Sequence, residues 1–481
     1  MNKLLKKLII SIGFILFINS FTFSTHILAN NQSQESYLII FKDNKVPTQA
    51  VELLKQKYKS TPISVISEIG ALKVETTSNL LIKELKKDYK KQIQYIGPET
   101  KLEDPRDFKI KKQFLIRGNV KESKMIDSSL SEHSIPLNSG ELSNVYGWDT
   151  DKITNNGESY KKQPGNSTIK VALIDSGVDF SHPDIKDNIV SKGKSFVPGV
   201  TDTEDRMGHG TMTAGAIAAN GKLLGVGPKL GIVPYKVMDN WIDGAESTWV
   251  ISAIIQAAND NMDVINLSLG TYKSLNKQED AAIIEGYNRA IKYAYKKGSI
   301  IVASAGNEGY DTRDAAKLAL QMGLEGDKQI HLPGGNSQYL LNVSATNKQD
   351  ELSSYSNFGS IDLAAPAGDY GEYWASQGIL DPSALTLVAY PTTLPEPYIN
   401  QVLNLPRGYT LSVGTSLAAP KVSGAVGVIL AENQAKGHKK IPMTKVKNIL
   451  KRSATDLGPK GKDDKFGYGL LNLDRAIDLV H

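Results

Sequence analysis

Apolar runs alternate with segments of helical spacing from about residue 148 onward, and this alternation restricts the fold more than any other feature. The runs with strand character are Lys170–Ile174, Ile232–Val237, Val264–Leu269, Ser299–Ser304 and Tyr339–Ala345. The segments with helical spacing are Thr211–Ala219, Ser247–Asn259, Asp280–Lys296 and Leu417–Asn433. Apolar strands separated by helices are typical of a mostly parallel sheet that is covered on both faces. We therefore predict an α/β domain over residues 148–481.

A smaller unit precedes this domain. Residues 30–100 contain the order β-α-β-β-α-β, which begins with the strand Tyr37–Phe41 and closes with Gln92–Ile96. That order is typical of a small α+β ferredoxin-like unit, which by itself would indicate a binding module. Residues 101–147 are polar and weakly patterned. We predict that they form an exposed linker with a processing site, and an ordered extension of the larger domain is the alternative.

The first residues have the pattern of an export signal. Lys3, Lys6 and Lys7 precede the mostly apolar run Leu8–Phe23, and polar residues take over after Ala29. We predict a secretory signal peptide over residues 1–29 and an extracellular protein, with an uncleaved membrane anchor as the alternative. No other run reaches the ~20 apolar residues that a membrane span needs. We therefore expect no stable membrane anchor.

Composition excludes several classes of function. The chain contains no cysteine, which excludes disulfides, thiol catalysis and thiolate zinc sites. The net charge of +5 is small for 481 residues, and basic residues form no stripe with interleaved aromatics. We therefore expect no nucleic-acid partner. We also expect that the protein is a monomer.

Three separate runs contain the residue types that amide hydrolysis needs: a nucleophile, a base and a residue that orients the base. Asp175 ends the run V-A-L-I-D-S-G, His209 lies in G-H-G-T, and Ser416 lies in G-T-S-L-A-A-P. We predict that a helix begins near Leu417, so that its N-terminal dipole and free amides favour charge on Ser416. Pro420 is expected in the first turn of that helix, where a missing N–H costs little.

A fourth run supplies a donor for the oxyanion. Asn307 follows a predicted strand in S-A-G-N-E-G, where its side-chain N–H could meet a developing negative charge. A turn asparagine is the alternative. An aspartic peptidase would need a second D-S-G triplet, and the chain has none. The run around Ser416 also lacks the second glycine of the esterase motif G-x-S-x-G.

These runs, in this order, closely resemble the subtilisin family of serine peptidases over about residues 148–476. The resemblance implies a doubly wound domain with a seven-stranded, mostly parallel sheet. It also implies that Asp175, His209 and Ser416 form a catalytic triad. The Asn307 side chain and the Ser416 N–H would then form the oxyanion hole. Candidate substrate-binding residues are Ser268, Leu269, Gly270, Ala305, Gly306 and Glu308, with the first three pairing with the substrate backbone.

The same resemblance gives the smaller unit a role, since it is similar to the inhibitory, chaperone-like propeptide of the family. We therefore expect a zymogen whose own propeptide binds its active site and which cleaves itself between Lys101 and Trp148. Two residues depart from the family pattern without touching the chemistry. Leu417 replaces the usual methionine after the nucleophile, and Met212 replaces a histidine after G-H-G-T.

Two insertions border the expected cleft, at residues 310–329 and 370–407. The first contains four carboxylates, and Glu308 lies just before it; the four are Asp311, Asp314, Glu325 and Asp327. Carboxylates that line the pocket for P1, the residue before the cut bond, would select a basic P1 residue. Solvated surface carboxylates are the alternative.

The segment Gly147–Thr154 resembles the start of peptidases that remove leader peptides from lantibiotic precursors, typically after arginine. We therefore expect a peptide substrate of that kind. A general extracellular protease of broad specificity is the first alternative, and a non-catalytic homologue used for binding is the second.

Catalysis is expected to need no cofactor, and a structural calcium ion is an open alternative. Asp184 matches a calcium-ligand position of the family, but the following loop, residues 218–225, is shorter than the loop that holds that ion. The acidic residues Asp202, Glu204 and Asp205 are a second, weaker candidate.

Overall fold

The computed structural model describes residues 35–57, 63–100, 102, 115–116, 146–240, 244–335 and 337–481. The predicted signal peptide, residues 1–29, and most of the predicted linker, residues 101–147, lie outside this part of the chain. Within it, no helix combines the length and the apolar character needed to cross a membrane.

Seventeen strands lie in the described ranges. In chain order they are β1 Glu35–Phe41, β2 Ile63–Ile66, β3 Ala71–Thr76, β4 Ile93–Pro98, β5 Leu115–Ile116, β6 Lys170–Asp175, β7 Lys194–Ser195, β8 Gly231–Lys236, β9 Val264–Leu267, β10 Thr271–Ser274, β11 Ile300–Ser304, β12 Gln329–Leu332, β13 Leu341–Thr346, β14 Leu363–Pro366, β15 Ile379–Leu380, β16 Thr386–Ala389 and β17 Tyr409–Ser412. The helices are Thr48–Lys57, Asn79–Asp88, Trp148–Thr154, Glu158–Lys162, His209–Ala218, Ser247–Asn259, Ala281–Lys297, Ala315–Gln321, Trp374–Gln377, Tyr398–Leu403, Thr415–Ala435, Met443–Ser453 and Leu473–Asp478.

The central sheet of the larger domain has seven strands in the order β14-β13-β11-β9-β6-β8-β7. Every neighbouring pair is parallel, so the predicted seven-stranded parallel sheet is confirmed. From β6 the chain builds β7 and β8 on one side and then crosses to β9 on the other. A crevice opens at the carboxyl ends of strands where a sheet changes direction in this way.

Alternate residues of the central strands face two separate apolar cores. Val171 and Leu173 of β6 face the helices His209–Ala218 and Thr415–Ala435. Ala172 and Ile174 face the other core, which is covered by helices of residues 247–297. Helices therefore cover both faces, which explains why the strands are apolar throughout.

The N-terminal unit has an antiparallel sheet of four strands in the order β2-β3-β1-β4. One face packs on its own two helices around Phe41, Leu54 and Leu81. The other face places Leu38 and Ile40 in the core that contains the helix Ala281–Lys297. The unit therefore packs tightly against the larger domain.

One arginine of the larger domain anchors this unit. Arg289 Nη1 donates to the carbonyls of Phe41 and Ile69, each at 2.8 Å, and Nη2 donates to Gln94 Oε1 at 2.6 Å. Glu285 lies 2.8 Å from Nε of the same side chain. Hydrogen bonds to a charged guanidinium are stronger than those between neutral groups, so Arg289 is a major contact.

The chain that leaves the N-terminal unit makes two further backbone hydrogen bonds to the larger domain. Ser247 N donates to Thr100 O at 3.1 Å, and Leu102 N donates to Ala245 O at 2.6 Å. The two bonds attach Thr100 and Leu102 to the backbone around the start of the helix Ser247–Asn259. The Leu102 side chain is 4% exposed and packs in the same core as Leu269.

Candidate active site

Three adjacent parallel strands deliver the predicted site residues to one edge of the sheet. Asp175 is the last residue of β6, Ser268 follows β9, and Asn307 lies three residues beyond β11. The carboxyl ends of parallel strands lie on the same side of the sheet, at the crevice where its direction changes. The topology therefore brings together Asp175 and Asn307, which are more than a hundred positions apart in the chain.

Asp175 and His209 form a buried pair. His209 Nδ1 lies 2.8 Å from Asp175 Oδ1, and the two side chains are 7% and 0% exposed. Oδ1 also accepts the Ser176 N–H at 2.7 Å, and Oδ2 accepts the Thr213 hydroxyl at 3.2 Å. A carboxylate that accepts a bond from the imidazole holds the ring proton on Nδ1 and leaves Nε2 as the basic nitrogen.

A second buried carboxylate fixes the turn that leads into His209. Asp205 Oδ1 accepts the N–H groups of Met207 and Gly208 at 2.9 and 2.8 Å, and Oδ2 accepts both the N–H and the hydroxyl of Thr211. Ser176 Oγ donates to Asp205 and accepts the Gly210 N–H, each within 2.9 Å. Sequence reasoning missed this role, although Asp205 lies only four residues before the histidine.

The helix that carries Ser416 begins earlier than the sequence predicted. It spans Thr415–Ala435, and Gly414 precedes it at φ 138°, a backbone conformation that favours glycine. Ser416 is therefore the second helical residue. Pro420 is the sixth, so the expectation that it lies in the first turn is wrong.

Pro420 removes the N–H that would otherwise bond to the carbonyl of Ser416 four residues earlier. The Ser268 hydroxyl replaces it and donates to Ser416 O at 2.9 Å. Asn266 Nδ2 in turn donates to Ser268 Oγ at 3.0 Å, and Asn266 Oδ1 accepts the Ser423 hydroxyl at 2.9 Å. A buried polar chain from β9 therefore holds the first turns of the nucleophile helix.

Thr415 sets the orientation of the Asn307 side chain. Its N–H and its hydroxyl donate to Asn307 Oδ1 at 2.8 and 2.7 Å, while Gly306 N donates to the same hydroxyl at 3.2 Å. Because two groups donate to this atom, it is the oxygen of the amide. The nitrogen Nδ2 therefore points away from Thr415. A Cβ placed on Gly414 would lie 3.1 Å from Ser416 Oγ and 3.8 Å from both Asn307 Nδ2 and Ser416 N. The nucleophile and the two predicted oxyanion donors therefore converge.

A buried tyrosine supports the loop in front of the nucleophile. The Tyr355 hydroxyl accepts the Gly414 N–H at 2.9 Å and lies 3.0 Å from the carbonyl of Gly368. Burial raises the pKa of Tyr355 well above its ordinary value, so the hydroxyl stays protonated. Nothing in the sequence indicated this contact, because Tyr355 lies 59 residues before Gly414.

The candidate substrate-binding residues lie beside this site, with different exposures. Ser268 and Leu269 are buried, and their side chains face the nucleophile helix and the core. Only their backbone is left to meet a substrate. Gly270, Ala305 and Gly306 bring backbone close to the same crevice, and Glu308 is exposed at its rim.

The carboxylates of the first insertion have local partners or lie at the surface. Asp311 pairs with Arg313 at 3.1 Å, Asp314 caps the helix Ala315–Gln321, and Asp327 accepts the Ser274 hydroxyl at 2.6 Å. Glu325 is exposed. These contacts favour the surface alternative for all four, which leaves Glu308, the exposed residue directly after Asn307.

Asp184 makes protein hydrogen bonds where the family places a calcium ion. Its Oδ2 accepts the Leu223 N–H and the Tyr409 hydroxyl, each at 2.8 Å. Two donors of the chain therefore already occupy one oxygen of this carboxylate.

The second calcium candidate does not form one cluster. Asp202 pairs with Arg206 at 2.8 Å, while Asp205 faces the turn before His209. In the part of the chain that the structure describes, no group of three His, Cys, Asp or Glu residues could hold a metal ion.

A parallel α/β sheet, a buried Asp–His pair and a serine at a helix start beside an oriented amide together define a serine peptidase of the subtilisin type. The chain belongs to the subtilase family, whose Peptidase_S8 model matches residues 166–469.

Two individual relatives show which members of the family this chain is similar to. The epidermin leader peptide-processing serine protease EpiP of Staphylococcus epidermidis is 33% identical over 361 residues, which cover 67% of this chain and 73% of the relative. The nisin leader peptide-processing serine protease NisP of Lactococcus lactis is 30% identical over 403 residues, which cover 74% of this chain and 56% of the relative. The chain is thus closely related to lantibiotic leader-processing enzymes, although its match spans little more than half of NisP.

Among solved structures, the crystal structure of EpiP from Staphylococcus aureus superposes with a TM-score of 0.70 at 29% identity. The match covers 93% of this chain and 99% of that structure. The similarity therefore extends beyond the larger domain into the N-terminal unit.

Proposed function

We propose that this protein removes the leader peptide of a lantibiotic-type precursor by hydrolysing one peptide bond after a basic residue, preferably arginine. The observation that carries the proposal is the position of Glu308, an exposed carboxylate directly after the oxyanion asparagine. The relationship to EpiP and NisP supports the choice of substrate class.

The chain contains each group that the acyl-enzyme mechanism needs. Ser416 attacks the scissile carbonyl while His209 Nε2 takes its proton, and the imidazolium that forms is stabilised by Asp175. Asn307 Nδ2 and the Ser416 N–H donate to the oxyanion. His209 then gives its proton to the leaving amine, and a water molecule releases the acyl group by the reverse sequence.

Glu308 is held so that it can meet a cation. Its Oε2 accepts the Tyr272 hydroxyl and, at 2.8 Å, Nδ2 of Asn357. Asn357 Oδ1 accepts the N–H of Tyr310 at 2.7 Å, which fixes the amide in turn. None of the described residues donates to Glu308 Oε1. A guanidinium in the crevice can bond to that oxygen without displacing an existing partner.

We also propose that the protein is exported, folds as a zymogen and acts as a monomer after it has removed its own N-terminal unit. The backbone hydrogen bonds of Thr100 and Leu102 to residues 245–247 support this, because the chain that leaves the N-terminal unit bonds to the larger domain by its backbone, as an extended peptide substrate could. The basic and apolar pattern of residues 1–29 supports export.

The test uses a precursor peptide whose leader ends in arginine, and a matched peptide with glutamine at that position. The processed protein should cut the first peptide once, after the arginine, and the second at least ~10-fold more slowly, because a charge-assisted bond is lost. Glu308→Gln should remove this difference, since glutamine keeps an acceptor for Tyr272 and Asn357. Ser416→Ala should cut neither peptide.

The other functions give different results. Cuts at many apolar positions in both peptides would identify a general extracellular protease. Failure of a fluorophosphonate probe to label Ser416 in the processed, folded protein would identify a non-catalytic homologue.

A further inference from the structure

A strand of the second insertion pairs with a strand of the predicted linker. β15, Ile379–Leu380, runs parallel to β5, Leu115–Ile116, with Ile379 opposite Leu115. In the part of the chain that the structure describes, these two strands form a sheet of their own. The insertion therefore carries a strand whose partner comes from the linker, and the edge of a strand is suited to binding an extended chain.

Aromatic residues connect β15 to the loop in front of the nucleophile. The Tyr355 hydroxyl accepts the Gly414 N–H at 2.9 Å, and the rings of Tyr355 and Tyr370 meet edge to face with centroids 5.8 Å apart. The carbonyl of Tyr370 accepts the N–H of Asp381, the residue after β15, at 2.9 Å. β15 is therefore attached through Tyr370 to the segment that leads to Ser416.

The two contacts of the linker lie on opposite sides of the active site in the order of the central sheet. Thr100 and Leu102 bond to residues 245–247, which follow β8 in the chain, and β15 follows β14. The strands that deliver the site residues, β6, β9 and β11, lie between β8 and β14. The linker is therefore held before and after the strands that form the crevice.

The length of chain between the two contacts fits this span. Leu102 and Leu115 are 13 positions apart, and an extended chain of that length reaches about 45 Å. β8 and β14 are five places apart in the sheet, which corresponds to about 24 Å at the usual spacing of strands. A chain that joins the two contacts therefore has enough length to pass Ser416.

We propose that β15 is a docking strand for the chain's own linker, which it holds at Leu115–Ile116 while Thr100 and Leu102 hold the chain on the other side of the active site, so that the bond to be cut is presented to Ser416. This inference rests on the proposed function, because it assumes that the protein cuts its own linker. It gives the second insertion a role in self-processing.

The physical reason is the length of the loop that the two contacts close. With β15 in place, the loop runs from Leu102 to Leu115 and has 13 positions. Without that pairing, the next described residue that packs on the larger domain is Tyr146, and the loop has 44 positions. The probability that a flexible loop brings a bond to a fixed point falls roughly as the −3/2 power of its length. Loss of the pairing should therefore slow self-processing about sixfold.

The test removes the backbone donors of the linker strand and leaves the larger domain as it is. Leu115→Pro combined with Ile116→Pro deletes both N–H groups of β5, so self-processing should become about sixfold slower. Ser128→Pro combined with Ser129→Pro, elsewhere in the predicted linker, should leave the rate unchanged. Gels record the conversion after the unprocessed chain is diluted from urea. The rate should not depend on protein concentration, because the cut is intramolecular.

A substitution on β15 shows whether the two strands act as a pair. Ile379→Pro should slow self-processing as much as the linker variant does. The combination of the two should be no slower than either alone, because the pairing can be lost only once. A peptide added in trans measures the active site of the processed linker variant, which should cut that peptide at the wild-type rate.

Three results would overturn the inference: self-processing of the linker variant at the wild-type rate, losses that multiply in the combined variant, or a processed chain that begins after Ile116 by mass spectrometry. Self-processing is tested separately with Ser416→Ala. Normal conversion of that variant would reject self-processing as a whole. A normal rate in the linker variant, with no conversion of Ser416→Ala, would reject only the docking strand.

Discussion

At the scale of single residues, the oxyanion donor is oriented by a neighbour of the nucleophile. Thr415 and Asn307 are 108 positions apart, yet both polar groups of Thr415 donate to Asn307 Oδ1. The hydroxyl also accepts the Gly306 N–H, so it joins the oxyanion loop to the helix start. An amide held in this way needs no reorganisation as negative charge develops.

Replacement of this threonine tests that contact. Thr415→Val should lower kcat about tenfold with little change in KM, since loss of a whole oxyanion donor costs about 100- to 1,000-fold. Thr415→Ser keeps the hydroxyl and should retain most of the activity. Steady-state kinetics on a cleavable peptide measures both. Equal losses in the two variants would mean that the β-methyl group matters and the hydrogen bonds do not.

The Ser268 hydroxyl gives a second prediction at this scale. Ser268→Ala leaves the buried Ser416 carbonyl without a donor, which should reduce the free energy of unfolding by about 1–3 kcal/mol. Pro420→Ala restores a backbone N–H at the position that can bond to this carbonyl. In urea unfolding, the double variant should therefore recover part of the loss. If the changes in the free energy of unfolding caused by the two substitutions simply add in the double variant, the Ser268 hydroxyl does not replace the N–H that Pro420 lacks.

At the scale of elements, a buried ion pair joins two helices. Lys421 on the nucleophile helix lies 2.6 Å from Asp149 on the helix Trp148–Thr154, and the side chains are 2% and 3% exposed. Lys421 Nζ also donates to Pro366 O at 2.8 Å. The helix Trp148–Thr154 therefore contributes directly to the position of the helix that carries Ser416.

Breaking this pair should be costly. Lys421→Met leaves Asp149 buried without its counter-ion and should lower the free energy of unfolding by about 3–5 kcal/mol. Adding Asp149→Leu removes the unpaired charge and should recover much of that loss. Urea unfolding in the Ser416→Ala background avoids self-digestion. If the single variant is as stable as its parent, the pair does not hold the helix.

At the scale of the whole molecule, the N-terminal unit, Thr100 and Leu102 all contact the larger domain. Glu99, the residue before Thr100, lies against the helix Ser247–Asn259, and its Oε2 accepts the Thr248 N–H at 3.2 Å. Burial in this contact raises the pKa of Glu99 above its ordinary value, with a smaller contribution from Glu246. Docking of the unit is therefore coupled to a proton.

The sign of this coupling gives a pH prediction. A carboxyl whose pKa is raised when docked binds its proton more tightly in that state. Docking is then strongest below the ordinary glutamate pKa of 4.5 and weakens as pH rises through the raised value. In the Ser416→Ala protein, hydrogen exchange at the Leu102 amide, corrected for intrinsic rates, should show weaker protection toward neutral pH.

Two variants serve as controls for that measurement. Glu99→Gln should flatten the pH dependence, because it removes the titrating group. Glu35→Gln, at the exposed start of β1, should leave it as in the parent. A parent protein whose Leu102 protection does not change between about pH 4 and pH 7 would contradict the coupling.

Self-processing is the last prediction at this scale. Ser416→Ala should be exported with residues 30–147 still attached, because the nucleophile that cuts the linker is missing. Mass spectrometry of the secreted protein from a protease-deficient host measures this. Normal processing of the alanine variant in that host would assign the cut to another protease.

The sequence by itself predicted five of the seven strands of the central sheet, namely β6, β8, β9, β11 and β13, and indicated Asp175, His209, Asn307 and Ser416 as candidate site residues. Strand and helix periodicity is local, and each motif lies within a run of about seven residues. Strand ends were less well predicted: β9 ends at Leu267 and not at Leu269, because the following residues turn toward the nucleophile helix.

Only the tertiary structure decided how these residues are supported. The contacts of Ser268 with the Ser416 carbonyl, of Tyr355 with Gly414 and of His331 with two glycines join positions far apart in the chain. Serine, tyrosine and histidine side chains have many possible partners, and the partner depends on which strands are neighbours. Strand order is a property of the folded sheet, so no local pattern could have identified these contacts.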